Sequence, residues 1–441
     1  MLAVDVVEKQ FRGDPRTVAI VMTDLAGQLF ESGDLVGPLI LTARASDIAR
    51  AAGEYDLETA ISCTRSLELF RAQLFDSARV AVADGRAALA RTTATDNYTC
   101  LQADANMALV DGDGAKAISL LERALRVFDD GERSEGASKR SLNRLAILND
   151  LARVIQQSGR PRDALAYQRM IVAAVDSMGY KGTIFLPNVA SPMSRMFFEL
   201  GELQDGTVTF RSIVRRAELQ SGANNVLPYL ASLHGTMLIR AGQADSASQW
   251  LARATVGPLD PNSMNMAQLN AVWADLEGGR VTEARARIAG VGAMYPWHWL
   301  IREWMRQRLV RQSGDSVTST TRLAFAIDSI EAEPSMPRVF LTLPLLTLAE
   351  WHLASGDVQR ADSAASRART VAMVDSPAAS RSGLVGHADF VHARVQRAAG
   401  KRVEATRTAQ EAVIALTSGY GAAHPLAISA RTLLDELRMA R

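Results

Sequence analysis

Apolar side chains recur along this chain every three or four positions, in paired stretches joined by short polar turns. In 101–110 (LQADANMALV), Leu101, Ala105, Ala108 and Leu109 fall on one stripe, and Ile118, Leu121, Leu125 and Phe128 do the same in the stretch that follows. The run from Arg144 to Val175 reads as helix, turn, helix, with Pro161 placed early enough to open the second helix. The run from Leu345 to Met373 repeats the design. No period-two run of β-branched residues is long enough to predict a sheet.

The turns carry a fixed punctuation: a glycine, a small residue five positions on and another seven after that. Gly112, Ala117 and Ala124 form one set; Gly242, Ala247 and Ala254, Gly356, Ala361 and Ala368, and Gly400, Ala405 and Ala412 form three more. The glycine suits a left-handed turn, and two alanines seven apart share a helix face that a neighbouring helix can approach closely. Weaker copies follow Gly33, Gly159, Gly201, Gly279 and Gly314, and Gln73 stands where a glycine would before Ala78 and Gly85. The step is about 41 residues, one helical hairpin per repeat, which predicts an all-α solenoid of about ten hairpins. Polar or proline-bearing stretches at 129–138, 179–192, 257–261, 333–337 and 376–386 are expected to be inter-repeat loops. The expectation is one array over 1–441, with a softer joint near 179–192 or 290–298.

This pattern resembles the tetratricopeptide repeat. A small residue seven before the turn glycine strengthens the likeness: Ala26, Gly235, Ala349 and Ala393. The resemblance implies a tetratricopeptide-type α-solenoid superhelix, a binding architecture, and covers essentially the whole chain. The step exceeds the usual 34 or so residues and is similar to the longer repeats of kinesin light chains, as is the closing stretch in which His424 and Pro425 open a helix. The opening, from Val4 to Asp34 and from Ala43 to Cys63, resembles the region after the catalytic domain in bacterial serine/threonine kinases with such repeats. No kinase motif accompanies it, so that resemblance implies a sensor or docking part of a signalling system.

In such arrays the first helix of each hairpin lines a concave groove. By that analogy the position six before each turn glycine faces inward, which selects Asn106, Arg153, Arg195, Trp273, Arg308 and Arg394. Nearby inward positions add Asn149, Arg240, Arg311 and Arg397, and Trp304 lies in a segment where tryptophans alternate with arginines. Guanidinium groups fit carboxylates bidentately, and Trp and Arg are enriched where partners bind, so the expected ligand is an acidic peptide or protein segment. The competing reading makes these solvated helix arginines and tryptophans that fill the core.

Net charge is +1, which gives no general electrostatic attraction for nucleic acid. The longest apolar run, Val339 to Ala349, is too short for a bilayer, and the first residues carry Asp5, Glu8 and Lys9 where a secretory signal would be apolar. A chain without membrane insertion, in the cytoplasm, is expected. Cys63 and Cys100 are read as buried small residues on first helices of successive repeats. His387 and His392 stand about 140° apart on a helix, unsuited to a shared metal, and no phosphate loop or nucleophile elbow occurs. No cofactor, metal or catalytic residue is expected. Two alternatives remain open: the sensor arm of a transcription regulator holding a small anionic ligand, and an enzyme on a closed α/α toroid with acids at its centre.

Overall fold

The structure, a computed structural model, describes all residues except 1, 32–35, 136–141, 178–184, 223–225, 258, 260, 294, 332, 334–337, 375–380 and 440–441. The described residues form 22 α-helices and one short 3-10 segment, Arg338–Leu341, with no strand among them. Contacts divide the chain into two compact units, Met1–Tyr180 and Lys181–Arg441.

The predicted turns are present in both units. At Gly112 (φ 78°) the amide bonds to Leu109 O, and Asp113 N bonds to Ala108 O at 2.8 Å, which closes the helix with a left-handed residue. Gln73 makes the same turn at φ 61°, with Leu74 N bonded to Leu69 O, as its place in the register predicted. Gly33 lies outside the described residues. One turn of this kind was missed, at Gly53 (φ 72°), because no small residue follows it at the repeat spacing. The turn alanines Ala117, Ala124, Ala247, Ala254, Ala361, Ala368, Ala405 and Ala412 are all fully buried. So are Ala26, Ala349 and Ala393, and a Cβ on Gly235 would lie 2.7 Å from Leu251 Cγ. The small side chains are thus the points where helices approach one another.

The first unit holds α1 (Leu2–Gln10), α2 (Pro15–Glu31), α3 (Gly37–Ala51), α4 (Tyr55–Arg71), α5 (Phe75–Leu89), α6 (Tyr98–Val110), α7 (Gly114–Glu135), α8 (Leu142–Gln157) and α9 (Pro161–Ser177). The predicted loop at 129–138 is helical as far as Glu135. Asp129, on α7, is paired with Arg144 of α8 at 2.8 Å, which fixes the polar end of the helix. Cys63 and Cys100 are buried, as expected, but they are not separate small residues. They form a disulfide between α4 and α6. Gly85 makes room for it, since a Cβ there would lie against Cys63 Sγ.

The second unit holds α10 (Phe185–Leu200), α11 (Leu203–Ser221), α12 (Pro228–Arg240), α13 (Ala244–Val256), α14 (Pro261–Glu277), α15 (Val281–Ala289), α16 (Pro296–Gln312), α17 (Ser316–Glu331), α18 (Thr342–Ala354), α19 (Val358–Val374), α20 (Gly383–Ala398), α21 (Arg402–Gly419) and α22 (Pro425–Met439). The stretch expected as a loop at 179–192 is helical from Phe185. Pro192 lies inside α10 and removes one rung of helix bonding. The helix persists because Val189, Ala190, Met193 and Met196 around it are buried.

Six hairpins, α10/α11 to α20/α21, bring this unit back on itself. Gly383 N donates to Gly201 O at 2.9 Å, although 182 positions separate them in the chain. Side chains at Gly383 and Gly419 would prevent this approach: a Cβ on Gly419 would fall 2.2 Å from Gly383 N and 2.4 Å from Gly201 O. Phe198 of α10 packs in one cluster with Leu384 and Val385 of α20. Within residues 181–441 the solenoid therefore winds far enough for the start of α20 to touch the end of α10, and α22 then lies one hairpin further on, against the turn at Gly242.

Candidate functional site

In the first unit the inner helices face each other through a ladder of polar pairs. Thr42 Oγ1 donates to Glu68 at 2.9 Å, and Gln102 Nε2 to Asp150 at 2.6 Å. Arg153 donates to Asn106 Oδ1 at 2.6 Å and is paired with Asp150 at 3.3 Å. Burial raises the Glu68 carboxyl above the ordinary range, opposed by the Thr42 hydrogen bond. Of the predicted site residues, Asn106 and Arg153 are thus together. Asn149 instead accepts from the buried Gln168 of its own hairpin.

In the second unit the inward register places Trp273, Arg308 and Glu350 around one cavity of about 510 Å³. Trp304 and Trp351 also line it. Trp304 is buried, meets Trp273 edge-on at 5.4 Å and donates to Thr347 at 2.9 Å. The predicted cationic stripe is largely neutralised. Arg308 bonds to Glu277 at 2.8 Å, Arg394 to Glu350 at 2.6 Å, Arg397 to Glu436 at 2.6 Å and Arg195 to Glu199 at 2.5 Å. Arg311 turns toward Thr320 and lies over the Trp351 ring at 4.9 Å.

Arg240 differs from these. Its guanidinium lies 3.6 Å over the Phe198 ring, its Nε is withdrawn from solvent without a partner, and no carboxylate reaches it. Burial pulls its pKa down to about 10, opposed by nearby Tyr420. The contact between the two ends of this unit creates this position. His424 Nε2 lies 3.4 Å from Arg240 O, and Pro425 stands against the turn at Gly242. His387 Nδ1 is buried without a partner, and desolvation lowers its pKa to about 3, so the ring is neutral. Burial raises the Tyr420 phenol, which also stays neutral. Sequence reasoning selected Arg240 but missed His387 and Tyr420, whose place depends on contacts about 180 residues away.

A second, shallower groove of about 250 Å³ lies between α20 and α22. Phe390, Ile428 and Leu433 form its apolar part, and Arg394, Arg397 and Glu436 its charged part. No group of three or more His, Cys, Asp or Glu side chains able to hold a metal occurs among the described residues. No described helix is long and apolar enough to cross a membrane.

No protein-family model matches the chain, and no curated protein matches its sequence. Solved structures do match in shape. The apo form of the quorum sensor NprR from B. thuringiensis is similar over 83% of this chain and 99% of its own, at 11% identity and a TM-score of 0.57. The apo form of RapI is similar over 80% of this chain and 97% of its own, at 9% identity and a TM-score of 0.59. With the turn-and-alanine register above, the fold is that of a tetratricopeptide-like helical repeat protein.

Proposed function

We propose that this chain is a non-catalytic regulatory scaffold that binds an acidic protein segment along its inner helices. The observation that carries the reading is the groove between α20 and α22, where Arg394 and Arg397 stand beside the apolar Phe390, Ile428 and Leu433. Acidic side chains of a partner would exchange for Glu350 and Glu436 on the two guanidiniums while its apolar residues cover the floor. Exposed ion pairs contribute only about 0–1 kcal/mol, so such an exchange costs little. The likeness to a quorum sensor supports a sensing role, and the opening sequence resemblance supports a bacterial signalling setting. The pairing of Glu277 and Glu350, the acids facing the cavity, each with an arginine supports a non-catalytic reading over a toroid enzyme with free acids at its centre.

We infer the compartment from a different feature. A disulfide between α4 and α6 suits an oxidising environment rather than the cytoplasm first expected, because cytosolic thiol pools keep cysteines reduced. Alkylation of protein extracted directly from its host, read by mass spectrometry, distinguishes the two.

The binding reading is tested with a peptide library of graded acidity against the full chain. Acidic apolar peptides should be selected, their affinity should fall steeply with salt, and Arg394→Glu with Arg397→Glu should abolish it. Selection of neutral or basic peptides, or unchanged binding by the double variant, would overturn it.

A further inference from the structure

Arg240, His387 and Tyr420 meet where the two ends of the second unit touch, and all three line the same cavity. None of their side chains makes a hydrogen bond or ion pair among the described residues. His424, which could have served them, is used elsewhere: its Nδ1 accepts from Leu426 N at 3.2 Å and its Nε2 faces Arg240 O. The carboxylates of the cavity are also committed. Glu277 accepts from both Trp273 Nε1 and Arg308, and Glu350 from Arg394.

A guanidinium whose Nε is withdrawn from water without a counter-ion is costly, and stacking on Phe198 offsets only part of that cost. An anion from outside would complete the arrangement. One unpaired cation calls for one negative charge, since a phosphate would bring a second charge beside Glu277 and Glu350. The neutral His387 and Tyr420 add hydrogen-bond donors of the kind a carboxylate accepts. The remaining walls are hydrocarbon and ring: Ile239, Leu343, Leu346, Trp273, Trp304 and Trp351. A volume of about 510 Å³ suits a small organic molecule.

We propose that this cavity binds a small apolar or aromatic monocarboxylate, its carboxylate held by Arg240 and its body against Trp273, Trp304 and Trp351. The ligand would join the end of α12 to the α20 and α21 side of the seam, and so hold that seam together. The cavity meets the protein-binding groove at the Arg394–Glu350 pair, and its test, made without a peptide, does not depend on that reading.

All six tryptophans lie in residues 181–441, so intrinsic fluorescence of the full chain reports this unit directly. The probes are 4-phenylbutyrate, phenylacetate and hexanoate, each against its neutral amide, with calorimetry as a second measurement. The acids should bind at least about 10-fold more tightly than the amides, as a charge-assisted hydrogen bond requires. Arg240→Met should erase that preference and, without ligand, melt at a higher temperature than the parent. Arg240→Lys, which keeps the charge but loses the fork, should still prefer the acids while binding them more weakly. Equal affinity for acid and amide would overturn the proposal. So would failure of all three acids to bind at millimolar concentration, or acid preference surviving in Arg240→Met.

Discussion

Residues 1–180 contain both cysteines, no histidine and no tryptophan; residues 181–441 contain all six histidines, all six tryptophans and no cysteine. The same hairpin is therefore held in two ways. The first unit has a covalent staple, Cys63–Cys100, and an inner face whose polar groups answer one another. The second is held by backbone contact at Gly201, Gly383 and Gly419, and leaves Arg240, His234, His298 and His387 with buried atoms unpartnered, where the first leaves Arg65 Nε and Gln168 Oε1 among its described residues. Unsatisfied groups are thus concentrated in the second unit, where a ligand or a proton can act.

The strongest way to break this comparison is reduction. Closing a loop of 37 residues stabilises by about 4 kcal/mol on chain-entropy grounds. Cys63→Ala with Cys100→Ala should lower the melting transition followed by circular dichroism and leave the tryptophan-followed transition in place. An equal shift in both signals would mean that the units do not melt separately.

Acid should act on the other unit. Desolvation lowers His234 and His298 from 6.5 to about 4, so the folded state holds them neutral. Their contribution is fully present above pH 6.5 and is lost as pH falls toward 4, because the unfolded chain takes up the protons first. At pH 5.5 the two together cost about 3 kcal/mol. The tryptophan-followed transition should fall at least this much, since His387 adds to it, and His298→Leu should reduce the slope by about a third. A transition independent of pH between 6.5 and 5 would remove these histidines from the argument.

The smallest expected effect tests what the units share. Ala117→Leu in the first and Ala361→Leu in the second should each overpack a fully buried contact and destabilise by about 1–3 kcal/mol. A neutral result at either would mean that the register differs there.

The repeat was legible because it is steric and local. A left-handed turn needs its glycine, and a close helix contact needs its alanine within a dozen residues. Gln73 could be placed by register alone for the same reason. The contact between the ends of the second unit was not legible: it depends on small rotations accumulated over six hairpins, and Gly383 and Gly419 carry no signal until their partner at Gly201 is known. The disulfide fell between these cases. Its cysteines were placed on successive inner helices, but bonding depended on side-chain directions that spacing does not fix. The arginines were found, while their neutralisation was missed, because Glu277 and Glu350 act across hairpins. Arg240 was found without the property that distinguishes it, its isolation from every carboxylate.

Contact between the ends of the second unit has a consequence for how this chain can change over generations. A linear stack tolerates the gain or loss of a forty-residue unit, since the new end simply lies one step further along. A winding held by contact between its first and last hairpins constrains that count. Duplication or deletion of a single hairpin between Gly201 and Gly383 would part those two residues and disturb the cavity beside them. The second unit is thus constrained in number, and insertions within it should be confined to the tips between helices.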